Sequence, residues 1–388
     1  MNTFALILVV SVLGVSLCHG KRIGGSGRPP VRSVFVMRHC LRATPTQSGI
    51  YGAPGFNAFD NYSSHHFPTW PVPSYQCLPQ GIAAIKEFGK SLSASLPKGK
   101  LAVKVDTTAK RDNDTAIALL EGLGRSTAYI PAPYLFNPVG VGLCKAPSVN
   151  ETVAALKASF AANPPSKEHV DRLTRLQGVL GKGKAPPIQS IPDKVFDNGY
   201  FTGGGSVASE FSEAFLMQLG AGMEVAWGEE KEAYVNDLLT EHIWYRSVND
   251  RALPLVARSH SIMVEEIMSF LDNPVLDDTL FLVGHDGDLD AMGELFGLEW
   301  HTAPFPPNAT TPGSALRFDL DFDHNTVSVS VAYNEFTGRQ DRPFKVVPAN
   351  FVRYGGAPMA RKDLPNTTLD ELKAYLEPRL DHTCDPRN

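Results

Sequence analysis

Ser33-Val34-Phe35-Val36-Met37 is an uninterrupted apolar run that ends directly in Arg38-His39, and Thr279-Leu280-Phe281-Leu282-Val283 ends in the same way in Gly284-His285-Asp286. A short run that is apolar at every position, rather than at alternate ones, predicts a strand buried on both faces, as in a parallel sheet covered by helices. In open α/β sheets ligands bind outside the carboxyl ends of the strands, so the two polar clusters are expected to face one cleft despite their separation in the chain. Working outward, Gly81 to Leu96 has a helical pattern, Leu101 to Val105 reads as another strand, and Val256 to Leu271 as a long helix. Ala315 to Leu320 and Val327 to Ala332 alternate and read as an antiparallel pair. The fold class is therefore α/β, with a central mixed sheet flanked by helices.

Between residues 150 and 249 the pattern changes. Amphipathic helical stretches at Thr152 to Ala162, His169 to Leu180, Ser206 to Leu219 and Glu230 to Trp244 are separated by Pro/Gly segments such as Gly181 to Pro187. This predicts an inserted, mostly helical cap domain at 150–249, with the α/β core split into 31–149 and 250–388. Gly203-Gly204-Gly205-Ser206 lacks the Gly-Lys-Ser/Thr ending of a phosphate loop and reads as a helix N-terminal turn.

Residues 1–20 carry an apolar stretch from Phe4 to Leu17 followed by Cys18-His19-Gly20, which reads as a signal peptide; a membrane span needs about 20 apolar residues. The chain is thus expected to be secreted, or periplasmic in a bacterium. With Cys18 in the leader, the remaining cysteines are Cys40, Cys77, Cys144 and Cys384, an even set that permits disulfides in three pairings. Asn61, Asn113, Asn150, Asn308 and Asn366 each begin an N-x-S/T sequon, as in a secretory glycoprotein. The chain has 388 residues, with 43% hydrophobic and 20% charged residues, which excludes a disordered, collagen-like or coiled-coil protein. A net charge of −5 provides no global basic field for nucleic acid or an anionic membrane.

The chemistry gathers at the strand ends. Arg38 and Arg42 offer two guanidinium forks around one imidazole, and such forks match the oxygens of a phosphate group. Nearby cations keep His39 neutral, and a neutral ring is a nucleophile. His285 is a further donor for phosphoryl oxygens, and Asp286 a carrier for the proton that a leaving alkoxide needs. Each cluster alone reads more simply as a solvated strand end. The sequence holds no H-E-x-x-H, C-x-x-C or G-x-S-x-G motif, and His65-His66 reads as an exposed loop pair.

Arg38-His39-Cys40-Leu41-Arg42-Ala43-Thr44 resembles the R-H-G-x-R-x-P signature of the histidine acid phosphatases, and Gly284-His285-Asp286 resembles their second signature. Phe136-Asn137-Pro138, Gly205 to Leu216, Trp227-Gly228, His242, Ala257-Arg258-Ser259 and Thr311 to Leu316 follow in the order seen in bacterial periplasmic phytases and glucose-1-phosphatases. The resemblance implies a phosphoglycerate mutase-like core and a secreted acid phosphatase that hydrolyses phosphomonoesters through a phosphohistidine, with phytate among the candidate substrates. It implies His39 as nucleophile and Asp286 as proton donor. Arg38, Arg42, Arg111 and His285 would be phosphate ligands, with Glu213 and His242 lining the substrate pocket. It implies no metal or other cofactor and a disulfide between Cys144 and Cys384. The expected partner is a small-molecule phosphomonoester, with no nucleic acid and no membrane after leader removal, and the chain a monomer or homodimer.

Two departures stand inside the first signature. Cys40 replaces the family's glycine, and Thr44 replaces its proline, with Pro45 one step later. Cys40 reads as a disulfide partner, Cys77 foremost, or as a free thiol beside the site; a thiol nucleophile fits poorly because no arginine follows at C-x5-R spacing. These changes leave open a second function, a phosphate-binding homologue with weakened or no turnover. Asp288 stands where the bacterial relatives carry an amide, and a carboxylate facing the cleft would disfavour a highly phosphorylated ligand.

Overall fold

Strand β1 (Val31–Arg38) lies inside a ten-stranded sheet, paired in parallel with β6 (Thr279–Gly284) and antiparallel with β8 (Ala315–Asp321). The computed structural model describes residues 31–44, 59–96, 100–126, 128–228, 230–273, 278–335, 344–355 and 360–384. The leader at 1–20, the Gly/Pro-rich lead-in and much of the first long loop lie outside the described residues. Parallel pairing continues from β6 to β2 (Leu101–Val105) and on to β3 (Ile130–Pro131). On the other side the sheet is antiparallel, from β8 to β9 (Thr326–Tyr333), β10 (Lys345–Gly355) and β11 (Ala360–Leu364). Two short strands complete it: β7 (Leu298–Trp300) on β10 and β12 (Asn366–Thr368) on β9. The sheet is mixed, as the sequence pattern predicts.

Both faces of β1 are covered, which is why its apolar run does not alternate. Val34 and Val36 enter one cluster with α9 (Leu253–Asp272), α10 (Asp286–Phe296) and α11 (Leu369–Leu376). Phe35 and Met37 point the other way, into α2 (Pro79–Ser93) and α3 (Lys110–Leu123), with Phe35 stacked on Phe281 at 4.4 Å between ring centroids. Short helices α1 (Phe59–Tyr62) and α4 (Pro133–Phe136) sit in the loops.

A helical section follows α4 and precedes α9: α5 (Val149–Ala162), α6 (His169–Leu180), α7 (Gly204–Gly220) and α8 (Glu232–Asn249), with a two-stranded hairpin of β4 (Lys194–Val195) and β5 (Phe201–Thr202). Helix α7 is buried along nearly its whole length. Its first turn is glycine-rich because of close approach: a Cβ on Gly205 would run into the indole of Trp244 on α8. The apolar cluster of α6, α7 and α8 takes in Leu41, Ala43 and Leu78 beside the first signature, so helical section and strand ends share one packed interior. Among the described residues no helix is long and apolar enough to cross a membrane.

Candidate active site

Strand pairing alone brings the two signatures together. Arg38 is the register partner of Gly284, and the His39 N–H donates to the Gly284 carbonyl at 2.8 Å. Beyond these points β1 delivers His39, and β6 delivers His285 and Asp286 at the start of α10. On the far side of β6 the strand β2 ends level with it, and the Asp106 N–H donates to the Val283 carbonyl at 3.1 Å.

His39 is buried, and its Nδ1 lies 2.8 Å from the Cys40 carbonyl oxygen. A carbonyl only accepts, so Nδ1 carries the proton and Nε2 keeps a lone pair. Burial first, and then the charges of Arg38, Arg111 and Arg42, hold the imidazole well below its ordinary pKa. The neutral ring is what the electrostatics favour. Cys40 is joined to Cys77 by a disulfide, and its N–H donates to Thr115 Oγ1 at 2.9 Å. The sulfur is therefore neither a free thiol nor a thiolate.

Arg38 is almost wholly buried. Its Nη1 donates to the Thr310 carbonyl at 2.5 Å, and its Nη2 pairs with Glu213 and, at 3.1 Å, with Asp286 Oδ2. Arg42 and Arg111 approach one face-bearing neighbour, the ring of Tyr75, at 5.4 and 5.9 Å. Arg111 sits in the first turn of α3, and its Nη2 lies 3.2 Å from His285 Nδ1. The other ring nitrogen, Nε2, lies 3.1 Å from Asp106 Oδ2 and 3.5 Å from Asp112 Oδ2. Burial would lower the pKa of His285, but the hydrogen bond to Asp106 and the nearby acids raise it above its ordinary value. Two acids thus back one histidine in different states. Asp106 is held below the usual carboxylate range by His285 and Thr108 against the effect of burial, whereas burial pushes Asp112 up to about 8.

Asp286 opens α10, where unpaired backbone N–H groups favour negative charge. Burial alone would raise its pKa; Arg246 and Arg38 outweigh that and hold it well below the usual range. Glu213 of α7 reaches in from the helical section, 3.8 Å from Arg42 Nη2 and 3.7 Å from His242 Nε2, while His242 Nδ1 lies 2.9 Å from Ser209 Oγ. Burial pushes the His242 pKa down. Glu210, one turn before Glu213, has its pKa raised by burial to about 7.

The structure therefore brings Arg38, His39, Arg42, Arg111, His285, Asp286, Glu213 and His242 into one charged cluster. The expectation about Asp288 is corrected. Its Oδ2 accepts from the His285 backbone N–H at 2.6 Å, its Oδ1 lies 3.2 Å from His260 Nε2, and it is buried, so it caps α10 rather than facing the cleft. His65-His66 is exposed, as read; His65 packs on Trp227. Asp106, Asp112, Glu210 and Arg246 were not read from the sequence. Asp106 carried a usable signal, since it follows an apolar strand as Arg38-His39 and His285-Asp286 do. Two triads, Asp106–Asp112–His285 and Glu213–His242–Asp286, bring their side-chain atoms within 4.8 Å of one another. Arg111 abuts the first and Arg38 the second, so cations already answer these carboxylates and no metal is assigned.

No protein-family model matches the chain. It is 26% identical to phytase AppA of Escherichia coli over 364 residues, covering 80% of this chain and 82% of that protein. The phytase of Hafnia alvei, solved in complex with myo-inositol hexakis sulphate, superposes with a TM-score of 0.77 at 21% identity over 93% of this chain and 100% of that one. The Citrobacter braakii phytase gives 0.74 at 23% identity, over 92% and 99%. These structures share the fold. With Arg38-His39 and His285-Asp286 at adjacent strand ends, the chain has the fold of these phytases and resembles the histidine acid phosphatases.

Proposed function

We propose that the protein is an exported acid phosphatase that works through a phosphohistidine on His39. The observation that carries this is the state of His39: a buried neutral imidazole, its Nδ1 proton directed to the Cys40 carbonyl, among three arginines. The Nε2 lone pair attacks phosphorus, a P–N bond forms, and the P–O bond to the leaving group breaks. Asp286 gives a proton to the departing alkoxide. Water then attacks the phosphohistidine, Asp286 takes its proton, and inorganic phosphate and neutral His39 are regenerated. Arg38, Arg42, Arg111 and His285 bind the non-bridging oxygens, whose charge rises in transit.

The acidic optimum has a different origin from the simple titration of an aspartic acid. Asp286 is held ionised in the free protein by Arg246 and Arg38. A phosphomonoester loses its second proton near pH 6, so below that pH the substrate enters as a monoanion and brings a proton with it. The arriving phosphoryl group also engages Arg38 and adds negative charge beside Asp286, which raises the proton affinity of the carboxylate. Turnover is therefore expected to fall as pH rises through about 6, where the substrate proton is lost, and to fall further at higher pH, where His285 loses its positive charge through its raised pKa.

The substrate class includes inositol phosphates. Relatives carrying the name phytase support this, as does the position of Asp288, which adds no carboxylate to the cleft. Export is supported by the apolar leader and by the two disulfides, which persist in oxidising compartments. The test is hydrolysis of an aryl phosphate in the presence of a chelator by wild type and His39→Ala, with acid-quenched wild type examined for one added phosphoryl group on His39. Wild type is expected to turn over and to trap the adduct, and His39→Ala to do neither. A wild type that binds phosphate without turnover would overturn the reading in favour of a phosphate-binding homologue. Rates on phytate against sugar and aryl phosphates at about pH 4 to 6 then decide the substrate.

A further inference from the structure

Helix α8 reaches the proposed proton carrier with a residue that no signature contains. Arg246 Nη2 lies 3.5 Å from Asp286 Oδ1, while Arg38 Nη2 lies 3.1 Å from Asp286 Oδ2, so each carboxylate oxygen has its own guanidinium. Arg246 is not free to follow a ligand. Its Nε donates to Asp290 Oδ2 at 2.5 Å, and its Nη1 lies 3.4 Å from Asp250 Oδ2. Asp290 stands one turn beyond Asp286 on α10, is buried, and has its other oxygen 2.8 Å from Arg251 Nη2. Residue 287 completes the arrangement. A Cβ at Gly287 would stand 3.3 Å from Arg246 Nη2, tight enough that the guanidinium would have to give, so a glycine here leaves Arg246 its place.

We propose that Arg246 is a positioning residue for proton transfer: clamped by Asp290 and Asp250, it fixes the orientation of the Asp286 carboxylate from the helical section. The proposal rests on the reading of Asp286 as proton carrier. It goes beyond that reading by making the helical section part of the chemistry rather than only a wall of the pocket. A carboxylate bracketed on both oxygens has its rotamer fixed before substrate arrives, which is the condition for a proton to move without reorganisation.

The charge of Arg246 also acts on titration. The groups facing Asp286 are Arg38 and His39 from β1 and its continuation, Glu210 and Glu213 from α7, His242 and Arg246 from α8 and, directly after that helix, Asp250. Asp290 on its own helix is neutralised by Arg246 and Arg251. Of the cations, Arg246 is the strongest in holding Asp286 ionised, ahead of Arg38. Removing its charge lets Asp286 keep its proton to higher pH.

The experiment is the pH profile of kcat for an alkyl phosphate, whose leaving group needs the proton, beside an aryl phosphate, whose leaving group needs it less. Arg246→Gln is expected to lower kcat on the alkyl phosphate about tenfold or more, with KM changing less than about twofold and the aryl rate falling less, because misplacement by about 1 Å costs on the order of a hundredfold. In the complex one proton is shared between the phosphoryl group and Asp286, so removing the Arg246 charge should move the alkaline limb of that pair up by about one pH unit. Arg246→Lys, which keeps charge but cannot hold the bracket, should retain the limb and lose kcat. Because Arg246→Gln leaves Asp290 and Asp250 short of a partner, the double variant Arg246→Gln/Asp290→Asn serves as the folded control and should show the same leaving-group split. Wild-type limb and wild-type alkyl-to-aryl ratio in the single and double variants would overturn the proposal. Asp286→Asn is run beside them: if it too leaves the ratio unchanged, the role of Asp286 itself fails, a result distinct from failure at Arg246 alone.

Discussion

The two histidines of the cluster, 5.7 Å apart between ring centroids, are driven to opposite states. Burial and the charges of Arg38, Arg111 and Arg42 keep His39 neutral, whereas Asp106 and the neighbouring acids push the pKa of His285 upward. The sign of the consequence follows. His285 is positive below its raised pKa, so its share of anion affinity is present at low pH and is lost as pH rises through that value. Sulfate, which does not titrate in this range, is expected to bind more weakly as pH rises. Asp106→Asn removes the hydrogen-bonded acid and should bring that weakening to lower pH, by about tenfold in affinity near neutrality if the shift is about one unit. A sulfate titration curve for Asp106→Asn that overlays wild type at every pH would refute the assignment. Residues such as His39, Arg38, His285 and Asp286 were legible because each directly follows an apolar run. Arg246 was not, since a single arginine within an amphipathic helix reads as part of a solvated face, and only the fold shows it turned inward against Asp286.

Among the elements, β1 and β6 were legible from their uninterrupted apolar runs, and α6 to α9 from their periodicity. Helix α3 was not, because its first turn, Lys110-Arg111-Asp112-Asn113-Asp114, offers no apolar stripe. Helix α10 opens on Asp286-Gly287-Asp288, which in isolation reads as a turn. Strand β10 carries Pro348, a residue that argues against a strand flanked on both sides, yet it pairs with β9, β7 and β11. The helical section is pinned internally by His169 of α6. Its Nδ1 lies 2.5 Å from Glu241 Oε2 on α8, and its Nε2 lies 3.0 Å from Asp193 Oδ2, whose partner oxygen accepts from the Gly205 N–H at the start of α7. Burial opposes charge on this histidine, but the two carboxylates raise its pKa to about 9. Its stabilisation is fully present below the unfolded value and is lost as pH rises through about 9. His169→Gln is expected to cost about 3 kcal/mol at about pH 6, where breaking a buried pair leaves its carboxylates uncompensated, and distinctly less at about pH 10. Urea unfolding of both proteins at the two pH values measures this; a pH-independent difference would contradict it.

For the whole molecule, the two disulfides have different jobs. Cys40 with Cys77 closes a short segment beside the first signature, with a sequence separation of 37, and ties the residue after His39 to the chain entering α2. Cys144 with Cys384, the pairing implied by the family resemblance, joins residues 240 apart in sequence and fastens the carboxyl-terminal end to the loop after α4. Cross-links that close long loops restrict the unfolded chain most, so Cys144→Ser/Cys384→Ser is expected to lose about 2 to 4 kcal/mol of stability. Since neither cysteine touches the charged cluster, activity per folded molecule should be retained. Denaturant midpoints and specific activity of the purified variant check both halves, and a large loss of specific activity in a fully folded variant would count against the separation of roles.

The pairing of β1 with β6 sets Arg38 beside Gly284, and the His39 N–H is satisfied by the carbonyl of a residue synthesised long after it. Timing follows from that register. A chain still emerging from a ribosome holds Arg38, His39 and Arg42 without His285 and Asp286. No partial product that stops short of β6 possesses the whole charged cluster. The charged cluster therefore comes into being only with a contact between residues far apart in the chain, Arg38 and Gly284, which is a slow kind of contact to form. An incomplete chain thus carries the first signature without an assembled site, a delay set by topology alone.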